Sequence, residues 1–291
     1  MTDRYAVIGN PVAHSKSPRI HALFAQQTGQ DMRYAAILAP LDGFAATVQA
    51  FIADGGRGMN VTVPFKEQAF RMATRCSPRA EAAGAVNTLH FQDKEIFGDN
   101  TDGAGLVRDL ESNLRFSIAD RRVLLLGAGG AARGCILPLL GQSPARLVIA
   151  NRTDEKARQL AAEFSEGRYA HGANLPSPGG RGIEGEGRDF LLTACGYPDL
   201  MGQSFDLVIN ATSVGLNAAA LPLPPGLFAP DCLAYEMVYG KDTSFLAQAR
   251  SAGARTADGL GMLVEQAAES FRLWRGVRPD TAPVLALLRQ R

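Results

Sequence analysis

Arg122-Val-Leu-Leu-Leu126, running directly into Gly127-Ala-Gly-Gly-Ala-Ala132, decides the fold of this chain. The apolar run reads as a strand buried on both faces, and the glycine-rich run as a tight turn into a helix. Gly127-x-Gly129-x-x-Ala132 is the dinucleotide-binding spacing, with alanine in the third place. The first glycine makes the turn and the second lets backbone approach a pyrophosphate. The helix N-terminus then offers unpaired N–H groups and the positive end of its dipole. A glycine triplet alone is weak, because glycine turns are common. Here a helix follows to about Leu140, and Arg146-Leu-Val-Ile-Ala150 supplies a second strand at the expected distance. The expected cradle is Gly127, Ala128, Gly129, Gly130, Ala131 and Ala132.

The end of that second strand selects the nucleotide. An acid there would bind the free ribose 2′-OH of NAD, but this chain has Asn151-Arg152-Thr153 and then Lys156. Arg152 and Lys156 suit a 2′-phosphate, with Asn151 and Thr153 adding hydrogen bonds. The plain alternative is a solvated basic pair. Basic charge sits badly at the positive end of a helix, so a phosphate partner explains it better. Asp154 and Glu155 leave NAD open, and NADP is favoured.

Working outward, Phe205–Ile209 and Cys232–Glu236 read as later strands of the same sheet, a βαβ series with its own core. Between the halves of that series lies Ser165–Gln203, which contains Pro176-Ser-Pro-Gly-Gly-Arg-Gly-Ile-Glu-Gly-Glu-Gly187. So little apolar surface predicts a mobile surface insertion. The earlier chain alternates strands (Tyr5–Ile8, Tyr34–Leu38, Met59–Val63) with helices, again implying a mostly parallel sheet. Ser17-Pro18 reads as a helix start, with a hydroxyl at the N-cap and proline at the first helical position. Leu260–Trp274 and Ala282–Leu288 read as closing helices.

The expectation is therefore an α/β protein of two domains: 1–103 for substrate, with a mostly parallel sheet, and a Rossmann domain over 104–257 carrying the insertion around 165–203. The helices of 258–291 would pack back on the first domain, leaving the active site in the cleft between the two domains. With 291 residues, 46% apolar and 20% charged, the composition is that of an ordinary soluble enzyme. A net charge of +1 without blocks of like charge argues against nucleic acid or an anionic membrane as partner. No apolar run reaches the length of a membrane span. Met1–Ile8 lacks signal-peptide anatomy, and Cys76, Cys135, Cys195 and Cys232 are scattered, which points to a reducing cytoplasm. His21, His90 and His171 share no ligand spacing.

Polar residues suited to a small polyol crowd the first third of the chain. They lie in Gly9-Asn-Pro-Val-Ala-His-Ser-Lys-Ser-Pro18, Asn60-Val-Thr-Val-Pro-Phe-Lys66, Gly84-Ala-Val-Asn-Thr88 and Gly98-Asp-Asn-Thr-Asp-Gly103. With Asn210-Ala-Thr-Ser213 and Asp258-Gly-Leu-Gly-Met-Leu263, these segments closely resemble the shikimate dehydrogenases, over nearly the whole chain except the insertion. The resemblance implies reversible reduction of 3-dehydroshikimate to shikimate with NADPH, a step of aromatic amino-acid biosynthesis. It places Ser15 and Ser17 at the substrate carboxylate with Tyr239 nearby. Asn60, Thr62, Asn87, Asp102 and Gln266 would surround the ring hydroxyls, with Lys66 and Asp102 as the proton-handling pair. Thr212, Ser213, Met237 and Gly259 would line the cofactor, Met237 beside the nicotinamide. A monomer is implied as well, with no residue pattern to set it against a homodimer.

Each residue also has a plain role to weigh. Ser17 fits an N-cap, but capping does not explain Ser15. Asn60 and Thr62, two apart on a strand, share a face, which is more often a solvent-facing edge. Asp99 is expected to cap or support a turn, and Asp102 to do chemistry. Lys66 gains nothing from a helix start, yet beside Asp102 it could stabilise a developing alkoxide. Which of the two transfers the proton is open. No metal is needed where a nicotinamide brings the hydride and Lys66 the electrophilic help. The competing functions are a quinate/shikimate dehydrogenase accepting NAD and a non-catalytic NADP-binding sensor. The sensor would lack Lys66 or Asp102, and both are present.

Overall fold

A computed structural model describes residues 2–166, 191–212 and 220–290. It divides into two compact units, one comprising the chain up to Leu106 together with the chain from Leu263, the other Val107–Met262. The glycine-rich run 176–187 and Ser213 lie outside the described residues.

The first unit is built from β1 (Asp3–Gly9), α1 (Ser17–Thr28), β2 (Met32–Leu38), α2 (Phe44–Ala53), β3 (Gly56–Val61), α3 (Lys66–Met72), β4 (Arg75–Cys76), α4 (Pro78–Ala83), β5 (Thr88–Gln92), β6 (Glu95–Asp99) and the start of α5 (Asp102–Arg108), which ends in the second unit. Its sheet runs β2-β1-β3-β5-β6-β4. All pairings are parallel except those of β5, which is antiparallel to both β3 and β6. The β5–β6 hairpin was not expected. Its tight turn uses Asp93, in the left-handed region at φ 51°, where Asn-Gly or Asp-Gly would have announced it. One face buries Ile8, Phe44, Phe51, Met59, Phe65 and Leu89. Full burial of each such side chain contributes about 1.5–3 kcal/mol. Beside β1 and α1, Tyr5 stacks on Trp274 at 4.7 Å and Phe24 meets Phe271 edge-on.

The second unit contains β7 (Arg122–Leu126), α6 (Gly130–Leu140), β8 (Arg146–Asn151), α7 (Asp154–Glu166), β9 (Leu191–Gly196), β10 (Phe205–Asn210), β11 (Phe228–Glu236), α8 (Ser244–Ser251) and β12 (Arg255–Asp258). α9 (Leu260–Arg275) starts in this unit and continues into the first, which α10 (Ala282–Arg289) ends. The sheet is wholly parallel, in the order β12-β11-β10-β7-β8-β9. Counted from β7, that is the doubly wound order 3-2-1-4-5-6 of dinucleotide-binding sheets. Its central strands are continuous apolar runs because helices cover both faces: Val123–Leu126, Leu147–Ala150 and Leu207–Ile209 are all buried.

Four expectations are corrected. Residues 165–203 are not one insertion: α7 runs to Glu166, and β9 pairs with β8 from Arg146↔Leu191 to Asn151↔Gly196. The glycine-dense neighbour had masked a short strand. β3 ends at Val61, so Thr62 lies beyond it and shares no strand face with Asn60. There the Thr62 amide bonds Ile8 O and its carbonyl accepts from Phe65, which turns the chain away. Ser17 is the first helical residue rather than the N-cap, because Lys16 is already in the α region; Ser15 Oγ accepts the Ser17 N–H at 3.2 Å. Ser15 therefore does have a capping role. Of the two roles expected for Asp99, capping falls and turn support stands: it is buried in an ion pair with Arg79 and accepts the Asn100 N–H, while Asn100 Oδ1 accepts the Asp102 N–H.

Candidate active site

In the first unit the expected proton-handling pair is assembled. Lys66 opens α3 and Asp102 opens α5, and Lys66 Nζ lies 2.5 Å from Asp102 Oδ2. Asp102 is held from its other side, since Asn87 Nδ2 donates to Oδ1 at 2.8 Å. The backbone fixes the same geometry: Val86 N–H donates to Lys66 O at 2.9 Å, and Asn87 N–H to Asp99 O at 3.0 Å. The reversed direction of β5 makes this possible. Asn87 enters β5 where β3 and β6 finish, so three polar segments meet at one rim.

Asn87 and Asn60 sit in a buried polar network. Asn87 Oδ1 accepts from Thr88 Oγ1 and Thr101 N, both at 2.9 Å. Gln266 Oε1 lies 3.4 Å from Asn87 Nδ2, which brings α9 to the site. Asn60 Nδ2 faces Ser270 Oγ at 2.9 Å and Thr88 Oγ1 at 3.1 Å, while its Oδ1 accepts the Tyr34 hydroxyl at 2.7 Å. Burial pushes the Tyr34 phenol well above its ordinary range, with the Ser17 hydroxyl acting against it. Tyr34, stacked on His21 of α1, thus joins that helix to Asn60. Sequence reasoning missed Tyr34, Thr88, Thr101 and Ser270. Only Ser270 left a clear signal: it stands four residues after Gln266, on the same helix face. Thr62 is half-buried at the turn beyond β3.

Behind the rim, Asp99 is 4% exposed. Burial alone would raise its carboxyl, but the hydrogen bonds and charge of Arg79, with Ser77 and the Asn100 amide, hold it below the usual carboxylate range. Arg79 engages both oxygens, Nε at 2.7 Å and a terminal nitrogen at 2.5 Å. That pair anchors the end of β6 just before Asn100-Thr101-Asp102.

The second unit carries the glycine turn. Gly127 has φ 109°, and a Cβ there would come within 3.2 Å of Ala211 and Thr212; only glycine avoids both the strain and the contact. Gly127 N–H donates to Ala150 O at 2.8 Å and Ala211 N–H to Leu126 O at 2.9 Å. No side chain caps α6 at Gly129, its first turn holds no acid, and a Cβ on Gly129 or Gly130 would meet nothing within 4 Å. An uncapped helix start under open space fits a pyrophosphate. At the end of β8, Asn151 Nδ2 donates to Thr153 O at 2.9 Å, while Arg152, Thr153 and Lys156 are exposed. Asn151 therefore shapes the turn. Asp154, one of the two acids that leave NAD open, pairs with Arg158 at 2.9 Å, and Glu155, the other, is exposed.

Thr212 is held by Asn210, whose Oδ1 accepts its N–H at 3.1 Å and its hydroxyl at 2.7 Å. Met237 N–H donates to Asn210 O at 3.1 Å. At Gly259 any Cβ would overlap the Met237 carbonyl, so only glycine lets this segment approach the Met237–Tyr239 turn. Tyr239 is half-buried on that turn. Among the described residues no three His, Cys, Asp or Glu side chains are placed to hold a metal, all four cysteines are free thiols, and no helix is long and apolar enough to cross a membrane.

A doubly wound parallel sheet with a glycine turn, in one chain with a second α/β unit carrying a lysine–carboxylate pair, defines a dinucleotide-dependent oxidoreductase. Residues 7–89 match the shikimate dehydrogenase substrate binding domain, 110–176 the shikimate / quinate 5-dehydrogenase model and 259–289 the shikimate 5′-dehydrogenase C-terminal domain. The chain is 60% identical over 291 residues to a shikimate dehydrogenase (NADP(+)) of Dechloromonas aromatica, covering 99% of this chain and 98% of that one. Among solved structures it resembles an Ael1 enzyme from Pseudomonas putida, with 50% identity, a TM-score of 0.86 and 98% of each chain covered. It also resembles the shikimate 5-dehydrogenase of Thermus thermophilus in complex with NADP(H) and shikimate, with 33% identity, a TM-score of 0.82 and 99% of each chain covered. The chain belongs to the shikimate dehydrogenase family.

Proposed function

We propose that this chain catalyses the reversible, NADPH-dependent reduction of 3-dehydroshikimate to shikimate. The observation that carries it is the Lys66–Asp102–Asn87 constellation, three polar side chains fixed by their own backbone pairings at the C-terminal rim of a sheet. The nicotinamide supplies the hydride when bound. Gly127, Gly129, Gly130 and the uncapped start of α6 would hold its pyrophosphate, and Arg152 and Lys156 the 2′-phosphate. Thr212 and Met237 would border the nicotinamide.

In the reduction, the substrate carbonyl oxygen gains a proton as its carbon gains the hydride. Both oxygens of Asp102 accept hydrogen bonds, from Lys66 and from Asn87, so the carboxylate acts as the holder. Lys66 carries the mobile protons of the pair. Its ammonium hydrogen-bonds the oxygen, stabilises the developing alkoxide and delivers the proton. Ser15 and Ser17 take the substrate carboxylate, with Tyr239 nearby, and Asn87 and Gln266 take the ring hydroxyls. Asn60 spends its amide on Tyr34, Thr88 and Ser270, so it supports the rim more than it contacts the ring. The first unit is then the substrate domain and the second the NADP domain, in a monomeric enzyme of the cytoplasm.

The test is NADPH formation from shikimate, followed by absorbance beside quinate and with NAD in place of NADP. Turnover confined to shikimate and NADP, lowered about 10²–10³-fold by Lys66→Ala with the NADPH dissociation constant unchanged, is expected. Comparable rates with quinate or NAD would overturn the dedicated reading, and cofactor binding without turnover on either acid would overturn the enzyme.

A further inference from the structure

Glu236 closes β11 and is fully buried, yet no step of the reaction uses it. Its carboxylate faces donors on every side. Oε2 accepts Asn210 Nδ2 at 2.8 Å and the Thr243 hydroxyl at 2.9 Å, and Oε1 accepts the Val238 N–H at 3.2 Å. These partners belong to three separate segments. Asn210 ends β10 and holds Thr212, Val238 lies on the turn carrying Met237, and Thr243 caps α8. Burial raises the Glu236 carboxyl above its ordinary value, with the Val238, Asn210 and Thr243 hydrogen bonds acting against that rise.

An ionised carboxylate only accepts, and that fixes the sense of the whole chain of bonds. Because Oε2 takes the Asn210 amide nitrogen, the Asn210 oxygen is turned toward Thr212, where it receives both the backbone N–H and the hydroxyl. Were the Asn210 amide to flip, its NH2 would face the Thr212 N–H and that bond would be lost. We propose that Glu236 is a positioning residue for the nicotinamide end of the cofactor, acting through the orientation of the Asn210 amide on the Thr212 loop and through Val238 on the Met237 turn. It rests on the reading that Thr212 and Met237 border the nicotinamide.

The pair of variants Glu236→Gln and Glu236→Gln/Asn210→Asp tests it. In the glutamine one carboxylate oxygen becomes NH2, which must confront either the Asn210 amide, driving its flip, or the Val238 N–H, releasing the Met237 turn; either way one of the two segments loses its hold. The double variant exchanges carboxylate and carboxamide, so that the carboxylate now at position 210 accepts from the new amide and still accepts from Thr212. With purified full-length protein, Glu236→Gln should raise KM for NADP and the NADPH dissociation constant about tenfold, leave KM for shikimate unchanged, and be largely rescued in the double variant. A change shared equally by both KM values, or a lowered melting temperature with KM for NADP unmoved, would overturn it. Should the single variant fail to fold, a folded double variant that keeps the tenfold defect overturns it, and one with normal KM for NADP supports it. Thr212→Ala separates the two layers. If that variant leaves KM for NADP unchanged, the assignment of the nicotinamide border is wrong; if it raises KM while Glu236→Gln does not, the positioning role alone fails.

Discussion

Replacing His21 by phenylalanine should flatten the acid side of the stability curve. The imidazole is fully buried, stacked on Tyr34 at 4.1 Å and nearly parallel at 7°, with Phe24, Phe271 and Trp274 around it. Neither ring nitrogen has a hydrogen-bond partner. Burial therefore keeps the ring neutral, lowering its pKa from 6.5 to about 3. For a base with a depressed native pKa, the unfolded chain binds a proton between those two values that the folded chain refuses. Stability is full above 6.5 and falls as the pH drops below it. Between about pH 7.5 and about pH 5 the loss from this one residue is about 2 kcal/mol. Urea unfolding followed by the fluorescence of Trp274, the single tryptophan, measures it. The other three histidines are common to both proteins and cancel in the difference. Wild type should lose about 2 kcal/mol more than His21→Phe over that interval. Parallel losses in the two proteins would refute the buried neutral imidazole.

Three other outcomes follow from the geometry. Arg79→Ala leaves the Asp99 carboxylate buried without its cation and should cost about 3–5 kcal/mol in denaturant unfolding. Because native Asp99 has a depressed pKa, the stability it contributes is present above 3.8 and is lost as the pH falls through the native value; a variant as stable as wild type at neutral pH would contradict this. Tyr34→Phe strands the buried Asn60 oxygen and should destabilise by about 1–3 kcal/mol, so an unchanged melting curve would show that the bond is not formed. Arg152→Ala with Lys156→Ala should raise KM for NADP about tenfold and leave KM for NAD where it was. Equal effects on both cofactors would move the 2′-phosphate site elsewhere.

The nucleotide-binding half was legible because its signals are local. An unbroken apolar run must be an interior parallel strand, and the glycines after it have one economical use. The Lys66–Asp102 contact was legible only through resemblance, since nothing in a separation of 36 residues says that two helix starts meet. What hid was structure whose cause is nonlocal. β5 reverses at Asp93-Lys94, a pair without strong turn chemistry, and β9 stood in the shadow of a glycine-rich neighbour. Tyr34 passed as an ordinary strand aromatic, although its hydroxyl is what orients Asn60. Glu236 ended the strand read at Cys232–Glu236, and nothing local in that run marks it as buried. Its burial follows from donors on β10 and at the start of α8, which no reading of β11 alone could supply.

The placement of α9 has a consequence for how the protein is made. Gln266 and Ser270 complete a network whose other members lie between residues 34 and 102. Phe271 and Trp274 cover Phe24 and Tyr5 from the same helix. A ribosome delivers this helix after the whole of β7 to β12, so the earliest strands emerge long before their lid. During that interval the continuous second unit can fold as it appears, while Tyr5 and Phe24 wait with aromatic surface uncovered. The nascent chain is therefore most exposed to chaperones and to self-association before α9 leaves the exit tunnel, and the polar network around Asn60 and Asn87 is completed in one late step.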